Sequence, residues 1–215
     1  MHTTEPIVTG ASVLGIQCVD GVVLGCDTLA SYGSLARFQR VRRIVQPGAD
    51  WVLGGGGEYS DLQEVARLLE TMVTREYCQE DGVVRAPRAV HRYLARVMYQ
   101  RRSRLDPLFN SLVLAGRGRF LGVVDMYGTA FESHVVATGF GSLLALPLLR
   151  KAWRPDMRME EGAACVEHCL RVLFYRDCRA LSSVQLARVP AEGAIEVSEP
   201  YELGELQWHV AQTVA

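Results

Sequence analysis

The order in which two hydrophobic periodicities follow one another limits what this chain of 215 residues can fold into. Strand-type patterns fill the amino-terminal part, and two amphipathic helix patterns follow, beginning at Ser60 and near Pro87. Strands, two further helices and two last strands complete the chain. A fold with a parallel sheet would instead alternate single strands with single helices. The block order therefore predicts one domain of stacked sheets flanked by pairs of helices.

The individual elements follow from local signals. Strands are predicted at residues 12–18, 22–26, 41–45, 51–53, 111–115, 120–125, 130–136, 184–189 and 194–197, and the later helices at 142–152 and 160–175. Asp20-Gly21 is a hairpin signal between the first two strands. Ser60 and Gln63 match a capping box at the start of the first helix. The four consecutive glycines at residues 54–57 are expected to end the strand that precedes this helix.

Composition is that of an ordinary globular protein, and it excludes several classes. The chain is 49% hydrophobic with a formal net charge of −1, so no overall field attracts it to nucleic acid. No apolar stretch reaches the roughly 20 residues that a membrane-spanning helix needs. Residues 1–6 lack the basic and apolar regions of a secretion signal. Six cysteines, mostly in apolar segments, indicate reduced core residues and an intracellular compartment.

Two local clusters admit both a functional and a structural interpretation. The arginines of residues 101–104 resemble a basic signal, but they lie at the end of a predicted helix, where cations complement the helix dipole. Cys165, His168 and Cys169 fall within about one helical turn, and a metal site is conceivable there. Three ligands without a fourth nearby favour helix packing instead. We therefore expect no metal and no cofactor.

Common short catalytic and nucleotide-binding motifs are missing from the sequence. A phosphate-binding loop requires Lys and Ser or Thr after its last glycine, whereas Glu58 and Tyr59 follow here. The G-x-S-x-G, H-E-x-x-H and paired C-x-x-C patterns are absent as well. The glycine run can expose backbone N–H groups to an oxyanion or a docked peptide. It can equally form a tight, closely packed turn, and the two interpretations are compatible.

Several longer strings resemble one family. Residues 8–13 and 21–27 match the opening hairpin of the β-type subunits of the 20S proteasome. Within that family, further strings resemble the non-catalytic subunits called beta type-4, which hold the seventh position of the β ring; they lie at 31–38, 98–103, 124–128, 137–141, 147–150 and 171–177. The resemblance runs from about Ile7 to the last residues. It implies the α/β (α+β) fold of amino-terminal-nucleophile hydrolases, a four-layer α-β-β-α sandwich, in agreement with the block order.

The resemblance also implies where an active site would lie. In active members a threonine, freed by cleavage of a Gly-Thr bond, supplies both the nucleophile and the amine base. Two aspartates, a lysine and two serines assist it, and a glycine N–H forms the oxyanion hole. On this sequence the threonine falls on Ala11, the two aspartates fall on Asp27 and Asp177, and the lysine falls on Arg43. The oxyanion-hole glycine falls on Gly57. The glycine-turn serine and the last serine fall on Phe140 and Ala180. The two aspartates and the oxyanion-hole glycine are thus retained, whereas the threonine, the lysine and the two serines are not.

Ala11 removes the reaction chemistry. Its methyl group has no lone pair to attack a carbonyl, and its uncleaved backbone nitrogen stays an amide, which is not a base. An arginine guanidinium is always charged in proteins, so Arg43 does not donate and recover a proton as a tuned lysine does. Ser12 is the next residue on a strand, so its hydroxyl should point to the opposite face. We expect no catalytic residue, with Asp27 and Asp177 acting as structural hydrogen-bond acceptors.

The function implied by the resemblance is that of a non-catalytic structural β subunit. It would support assembly and stability of the particle that carries out ATP- and ubiquitin-dependent protein degradation in the cytoplasm and nucleus. The expected partners are other α- and β-type subunits of a four-ring hetero-oligomer, without nucleic acid or membrane. The alternatives are a threonine- or serine-type peptidase subunit that uses a non-standard nucleophile, and a self-assembling bacterial-type protease subunit.

The ends of the chain are expected to differ from its middle. The divisions are a short retained amino-terminal extension, a single β-type domain and a carboxy-terminal tail, at residues 1–10, 11–200 and 201–215. Family tails of this kind reach across to the opposite β ring, so Trp208, His209 and Val210 are interface candidates. Trp208 would be the aromatic anchor, because large aromatic side chains dominate interface energetics. Alternatively, Trp208 covers the edge of its own domain.

Overall fold

The computed structural model describes residues 5–79, 82, 84–204 and 206–208. The helices in this part of the chain are α1 (Tyr59–Gln79), α2 (Pro87–Ser103), α3 (Gly141–Ala152) and α4 (Met159–Arg176). The strands are β1 (Val8–Gly10), β2 (Val13–Gln17), β3 (Gly21–Asp27), β4 (Ala30–Tyr32), β5 (Leu35–Phe38), β6 (Ile44–Val45), β7 (Trp51–Glu58), β8 (Asn110–Gly116), β9 (Phe120–Val124), β10 (Ala130–Glu132), β11 (Val135–Ala137), β12 (Ser183–Pro190), β13 (Glu196–Val197) and β14 (Tyr201–Glu202).

The first sheet is built around β7 and β8. Its strand order is β10-β9-β8-β7-β1-β4-β5, with β6 also paired to β7, and its pairings are antiparallel. β7 aligns with β8 from Trp51 opposite Gly116 to Gly57 opposite Asn110. The glycine run therefore continues the strand up to the start of α1, and the expectation that it ends the strand is wrong.

The second sheet is built around the hairpin of β2 and β3. Its order is β11-β2-β3-β12-β13, with β14 also paired to β12. The hairpin follows the Asp20-Gly21 signal, and the Cys18 N–H donates to the Gly21 carbonyl at 2.7 Å. Along the next pairing Val184 lies opposite Asp27, so the end of β3 is held between β2 and β12.

Three apolar clusters join these elements into layers. Helices α1 and α2 pack on the first sheet through residues such as Leu69 and Leu94. The two sheets meet face to face through side chains that include Leu24 and Val113. Helices α3 and α4 cover the second sheet, where Leu14 is fully buried. The result is the four-layer α-β-β-α sandwich that the sequence predicted. No helix in the described ranges is long and apolar enough to cross a membrane.

The strand predicted at residues 130–136 is two strands in different sheets. Ala130 pairs with Val124 in the first sheet, whereas Val135 pairs with Ile16 in the second. Between them the Ser133 N–H donates to the Leu121 carbonyl at 3.3 Å, so the chain crosses from one layer to the other here. Apolar content alone does not reveal this crossing, because apolar residues occur in both strands, whether they are exposed, like Phe131, or buried, like Val135.

Other differences concern short elements and one helix start. β1, β4 and β5 were not predicted, and the strand expected at 41–45 shortens to β6. Strands of two to four residues give too few alternations for a periodicity to stand out. The capping box is also wrong: the helix begins at Tyr59, and the Ser60 hydroxyl donates to Glu58 Oε1 at 3.0 Å.

The layer between the two sheets should dominate stability. Leu24→Ala removes a fully buried side chain from this layer and should lower the free energy of unfolding by about 2–5 kcal/mol. Leu143→Ala is the matched control, because Leu143 is 70% exposed and should change it by less than about 0.5 kcal/mol. Denaturant unfolding of the two variants measures both values, and equal losses would contradict the layer assignment.

Candidate functional site

A cleft lies where β1 ends and β2 begins, beside Ala11. Its volume is about 260 Å³, and it is lined by Thr9, Gly10, Ala11, Gly56, Gly57, Ser111, Thr138, Gly139, Phe140, Asp177 and Arg179. Four of the seven positions matched to the family's active site line it directly. Of the other three, Arg43 and Ala180 are hydrogen-bonded to Ala11 and Asp177 at its wall, and Asp27 is paired with Arg43 behind it. The fold thus brings all seven positions together.

The Arg43 side chain is the central polar group behind this cleft. It is 1% exposed and pairs with the Asp27 carboxylate through Nη2 and Oδ1. Its guanidinium also donates to four main-chain carbonyls: Nη1 to Ala11 at 3.1 Å and Gly55 at 3.4 Å, Nη2 to Ser12 at 3.3 Å and Asp27 at 2.8 Å, and Nε to Asp27 at 3.1 Å. A planar fork with five donors can satisfy this many acceptors, and a lysine ammonium with three cannot.

The buried Asp27–Arg43 pair defines the electrostatics behind the cleft. Burial raises the pKa of Asp27, and the Arg43 guanidinium and the Leu29 N–H oppose that rise. The backbone follows the same constraint: a Cβ at Gly10 would lie 2.4 Å from Arg43 Cδ. Only glycine leaves room for this side chain at position 10. The arginine therefore acts as a structural centre behind the cleft.

The positions matched to the second aspartate and two serines form an incomplete network. Asp177 is 5% exposed, and its Oδ1 accepts the Arg179 N–H at 2.9 Å. No group in the described part of the chain donates to its buried Oδ2. Phe140 is 57% exposed and Ala180 offers only its backbone N–H, which reaches the Asp177 carbonyl at 3.1 Å. The carboxylate has kept its place without the two hydroxyls that the family supplies.

Ser12 does not replace the missing nucleophile. It is 2% exposed, and its Oγ accepts the Gly141 N–H at 2.8 Å, at the start of α3. The hydroxyl is thus directed towards the helix, and the expected orientation is observed. Gly57 keeps the oxyanion-hole position with φ of +90°, and a Cβ there would lie 2.1 Å from the Phe109 carbonyl oxygen. Ser12 and Gly57 thus keep the backbone framework of the site without supplying a nucleophile.

The chain's own amino-terminal segment occupies the edge of this cleft. β1 lies between β4 and β7, with Thr9 opposite both Ser31 and Glu58. Gly10 lies opposite Gly57, so the segment runs past the matched oxyanion-hole position as a hydrogen-bonded strand. Residues 1–10 were predicted as an extension, and the structure places the last three of them inside the first sheet.

Two contributors to the site were missed by sequence reasoning. Glu58 served only to exclude a phosphate-binding loop, yet it is 7% exposed and its carboxylate binds the amino-terminal segment. Thr138 lines the cleft, and its Oγ1 accepts the Val13 N–H at 2.9 Å. A charged residue at the end of an apolar, glycine-rich strand was the available signal for Glu58. Thr138 carried none, because its partner is 125 residues away.

The cysteine cluster is part of the helix packing. Cys169 is buried in α4, with its Sγ 3.9 Å from the Ala145 carbonyl of α3. A hydrogen bond from Cys169 lowers the pKa of Cys165. Across the described ranges, no group of three or more His, Cys, Asp or Glu residues is placed to hold a metal ion. All six cysteines are free.

The carboxy-terminal tail begins as β14, which pairs with β12, and Gln207 and Trp208 then rest on the end of α4. The Trp208 ring lies 5.5 Å from the rings of both Phe174 and Tyr175. Tyr175 Oη accepts the Gln207 N–H at 2.8 Å and donates to the Gln207 carbonyl at 3.1 Å. Trp208 is nonetheless 66% exposed, so most of the indole is accessible to a partner. His209 and Val210, the other interface candidates, lie outside the described residues.

The buried pair yields a prediction with a pH dependence. Arg43→Met leaves the Asp27 carboxylate buried without its cation and should cost about 3–5 kcal/mol of unfolding free energy. The pKa of Asp27 should then rise further in the folded state, so the folded variant binds a proton that the unfolded chain releases. The free energy of unfolding of this variant should therefore decrease as the pH rises from about 5 to about 8. Urea unfolding curves at the two pH values would measure the decrease.

Two controls isolate the pair in these titrations. Arg42→Met removes a neighbouring arginine whose ion pair with Glu199 is exposed, and it should cost less than about 1 kcal/mol. Adding Asp27→Asn to Arg43→Met should abolish the pH dependence. A loss for Arg43→Met alone that is the same at both pH values would contradict the role given to Asp27.

The chain is similar to known proteins along most of its length. A model of the family described as "Proteasome subunit" matches residues 7–189. The chain is 45% identical to the proteasome subunit beta type-4 of Dictyostelium discoideum over 96% of its own length and 82% of that protein's. For the beta type-4 subunit of Arabidopsis thaliana the identity is 43%, over 94% and 83%. For that of Xenopus laevis it is 41%, over 100% and 90%.

These comparisons confirm the resemblance that the sequence strings predicted. The family match begins at Ile7 and includes most of the cleft and the buried pair behind it. The relatives also carry the type-4 name that the strings indicated. The chain therefore belongs to the proteasome subunit family.

Proposed function

We propose that this chain is a non-catalytic β subunit of the 20S proteasome core, which supports assembly and stability of the protein-degrading particle. The observation that carries the proposal is Ala11 at the nucleophile position, with its carbonyl bound to the buried guanidinium of Arg43. The site brings together the positions matched to the family's active site, but it lacks the nucleophilic threonine, the lysine and the two serines. The chain is not itself an enzyme, and its contribution is structural.

The chemistry supports this function at each step of the family's reaction. Nucleophilic attack needs a lone pair on the residue at position 11, and a methyl group has none. Activation needs a free amine, whereas the nitrogen of Ala11 is an amide within a continuous chain. Proton transfer needs a group that titrates, and an arginine held by an aspartate and four carbonyls stays protonated. Any one of these losses would stop the reaction.

Surface features support a role in assembly with other subunits. β5 is an edge strand of the first sheet, and all four of its residues are exposed. Its hairpin with β4 presents Tyr32, Leu35 and Phe38, which are 51%, 57% and 44% exposed. Natural proteins cover exposed sheet edges and clustered apolar side chains, commonly with a partner. Other proteasome subunits are the partners that the family provides.

The finer arrangement belongs to the proposal as well. The subunit would hold the seventh position of a β ring in a four-ring hetero-oligomer, beside two β subunits and against an α subunit. Its tail, including Trp208, would contact a β subunit of the opposite ring. The accessible indole on the end of α4 supports this direction. The particle would act in the cytoplasm and nucleus, in ATP- and ubiquitin-dependent degradation.

A peptidase subunit with a non-standard nucleophile is the competing function. The hydroxyls of Thr9 and Ser111 line the cleft, and they are the observation in its favour. Thr9 Oγ1, however, lies 3.4 Å from Ser31 Oγ within the paired strands β1 and β4. Within the described part of the chain, neither hydroxyl is hydrogen-bonded to a histidine, a lysine or a free amine that could act as base. The structural function is therefore favoured.

Chemical labelling of purified particles separates the two functions. An electrophilic peptidase probe should label the catalytic subunits, which are the internal positive control, and should leave this chain unlabelled. Intact-mass analysis should find no amino terminus created at Ala11 or Ser12. The Ala11→Thr variant should stay uncut and unlabelled too, because Arg43 remains sequestered. A probe adduct on the unmodified chain, or a new terminus at either residue, would overturn the proposal.

The tail has a separate test in the assembled particle. Trp208→Ala should change the stability of the subunit alone by less than about 1 kcal/mol, because the side chain is largely exposed. It should raise the ratio of half particles to complete particles by several-fold if Trp208 anchors the opposite ring. Tyr77→Ala, an 84% exposed aromatic on α1, is the matched control. Native mass spectrometry gives the ratio, and an unchanged ratio would contradict the anchor.

A further inference from the structure

The hairpin of β4 and β5 is joined to the rest of its sheet through β1. In the described part of the chain, β4 pairs with β1 and β5, and β5 pairs with β4. β1 in turn pairs with β7 through Thr9 and Gly10. Taking β1 away would leave the β4–β5 hairpin without a hydrogen-bonded neighbour in the sheet. A three-residue strand from the amino-terminal extension therefore completes this side of the fold.

The Glu58 carboxylate holds the beginning of this strand. Its Oε2 accepts the backbone N–H groups of Ile7 at 2.5 Å and Val8 at 2.9 Å. Its Oε1 accepts the Ser60 hydroxyl at 3.0 Å. Hydrogen bonds to a charged acceptor are about twice as strong as neutral ones. The extension thus enters the sheet at a defined point, 51 residues away from Glu58 along the chain.

The burial of Glu58 requires these donors. Glu58 is 7% exposed, and no ion pair to its carboxylate is observed among the described residues. A buried carboxylate without a cation is costly unless hydrogen bonds compensate it. Two of its three observed donors are the N–H groups of the extension. The carboxylate and the extension therefore stabilise each other.

We propose that Glu58 is a binding site for the chain's own segment of residues 7–10, which acts as an internal peptide ligand of the vestigial cleft. The ligand class is an extended peptide backbone, read through its N–H groups by Glu58 and through strand pairing by β4 and β7. The segment fixes the β4–β5 hairpin and closes the cleft edge to any other peptide. This inference concerns folding within one chain and does not depend on the subunit's place in a particle.

Because β1 is paired along both of its edges, a second peptide cannot join the sheet at this position. Val8, Thr9 and Gly10 lie opposite Tyr32, Ser31 and Ala30, and Thr9 and Gly10 lie opposite Glu58 and Gly57. A strand that is paired on both sides offers no free edge for another strand to join. Entry of a substrate-like peptide would require β1 to leave first. The missing nucleophile and the filled cleft are thus independent obstacles to peptidase activity.

Hydrogen exchange on the full-length chain tests the proposal. The protein is purified with whatever subunits accompany it, and amide exchange is followed by mass spectrometry for peptides that cover β1, β4 and β12. In the unmodified chain the amides of Ile7 and Val8 should exchange slowly, as amides in stable hydrogen bonds do. Glu58→Ala should accelerate exchange at residues 7–10 by at least about tenfold, and exchange in β4 should rise with it.

Ser60→Ala is the matched control for this experiment. It removes the third hydrogen bond to the same carboxylate and leaves the two bonds to the extension, so residues 7–10 should exchange within about twofold of the unmodified rate. β12 reports global stability in every variant, because it lies in the other sheet. An acceleration in β1 that only equals the one in β12 would overturn the proposal.

The proposal stays testable if Glu58→Ala does not yield folded protein. Rapid exchange of the Ile7 and Val8 amides in the unmodified chain, at the rate of an unstructured peptide, would overturn it directly. Glu58→Gln provides a milder change, since it keeps the size and an acceptor oxygen while removing the charge. It should accelerate exchange at residues 7–10 less than Glu58→Ala does, and an effect equal to that of Ser60→Ala would count against the carboxylate. Peptidase labelling plays no part in these readouts, so this inference and the proposed function fail separately.

Discussion

The buried guanidinium of Arg43 is the interaction around which the site region is built. It connects the end of β3 through Asp27, the turn into β2 through the carbonyls of Ala11 and Ser12, and β7 through the carbonyl of Gly55. These segments come from both sheets of the sandwich. Removing a charge of this kind leaves a buried carboxylate and several carbonyls without donors, which is far more costly than losing a surface ion pair.

The same interaction explains how a catalytic framework has become a structural one. A lysine at position 43 could exchange a proton with a neighbour, whereas an arginine is permanently charged and its fork spreads hydrogen bonds over several acceptors. Glycine at position 10 leaves room for the larger guanidinium side chain, since a Cβ there would overlap the side chain of Arg43. Around Asp177, by contrast, nothing has replaced the lost hydroxyls, and one buried oxygen is left without a donor in the described structure. Within the described residues, the buried polar groups are hydrogen-bonded on the Arg43 side of the site, whereas one carboxylate oxygen is not on the Asp177 side.

The regular parts of the fold were predictable because their periodicity is a property of the local sequence. The four helices, the β2–β3 hairpin and the block order are all confirmed, since each rests on several turns or alternations of apolar residues. β1, β4 and β5 have three or four residues each and exist because neighbours pair with them. The glycine run could not be assigned to a strand from propensity, because packing and pairing with β8 impose its conformation.

The sequence by itself determined that the reaction is absent, because the chemistry of a methyl group and of an amide does not depend on where they lie. The order of its patterns also indicated stacked sheets flanked by pairs of helices, and the resemblance to the family implied the four-layer class. Only the tertiary structure decided what the remaining groups do. It turned Arg43 towards four carbonyls, directed the Ser12 hydroxyl to α3 and brought Glu58 to the extension. Contacts between residues tens of positions apart depend on how the layers stack, and no local pattern in the chain specifies them.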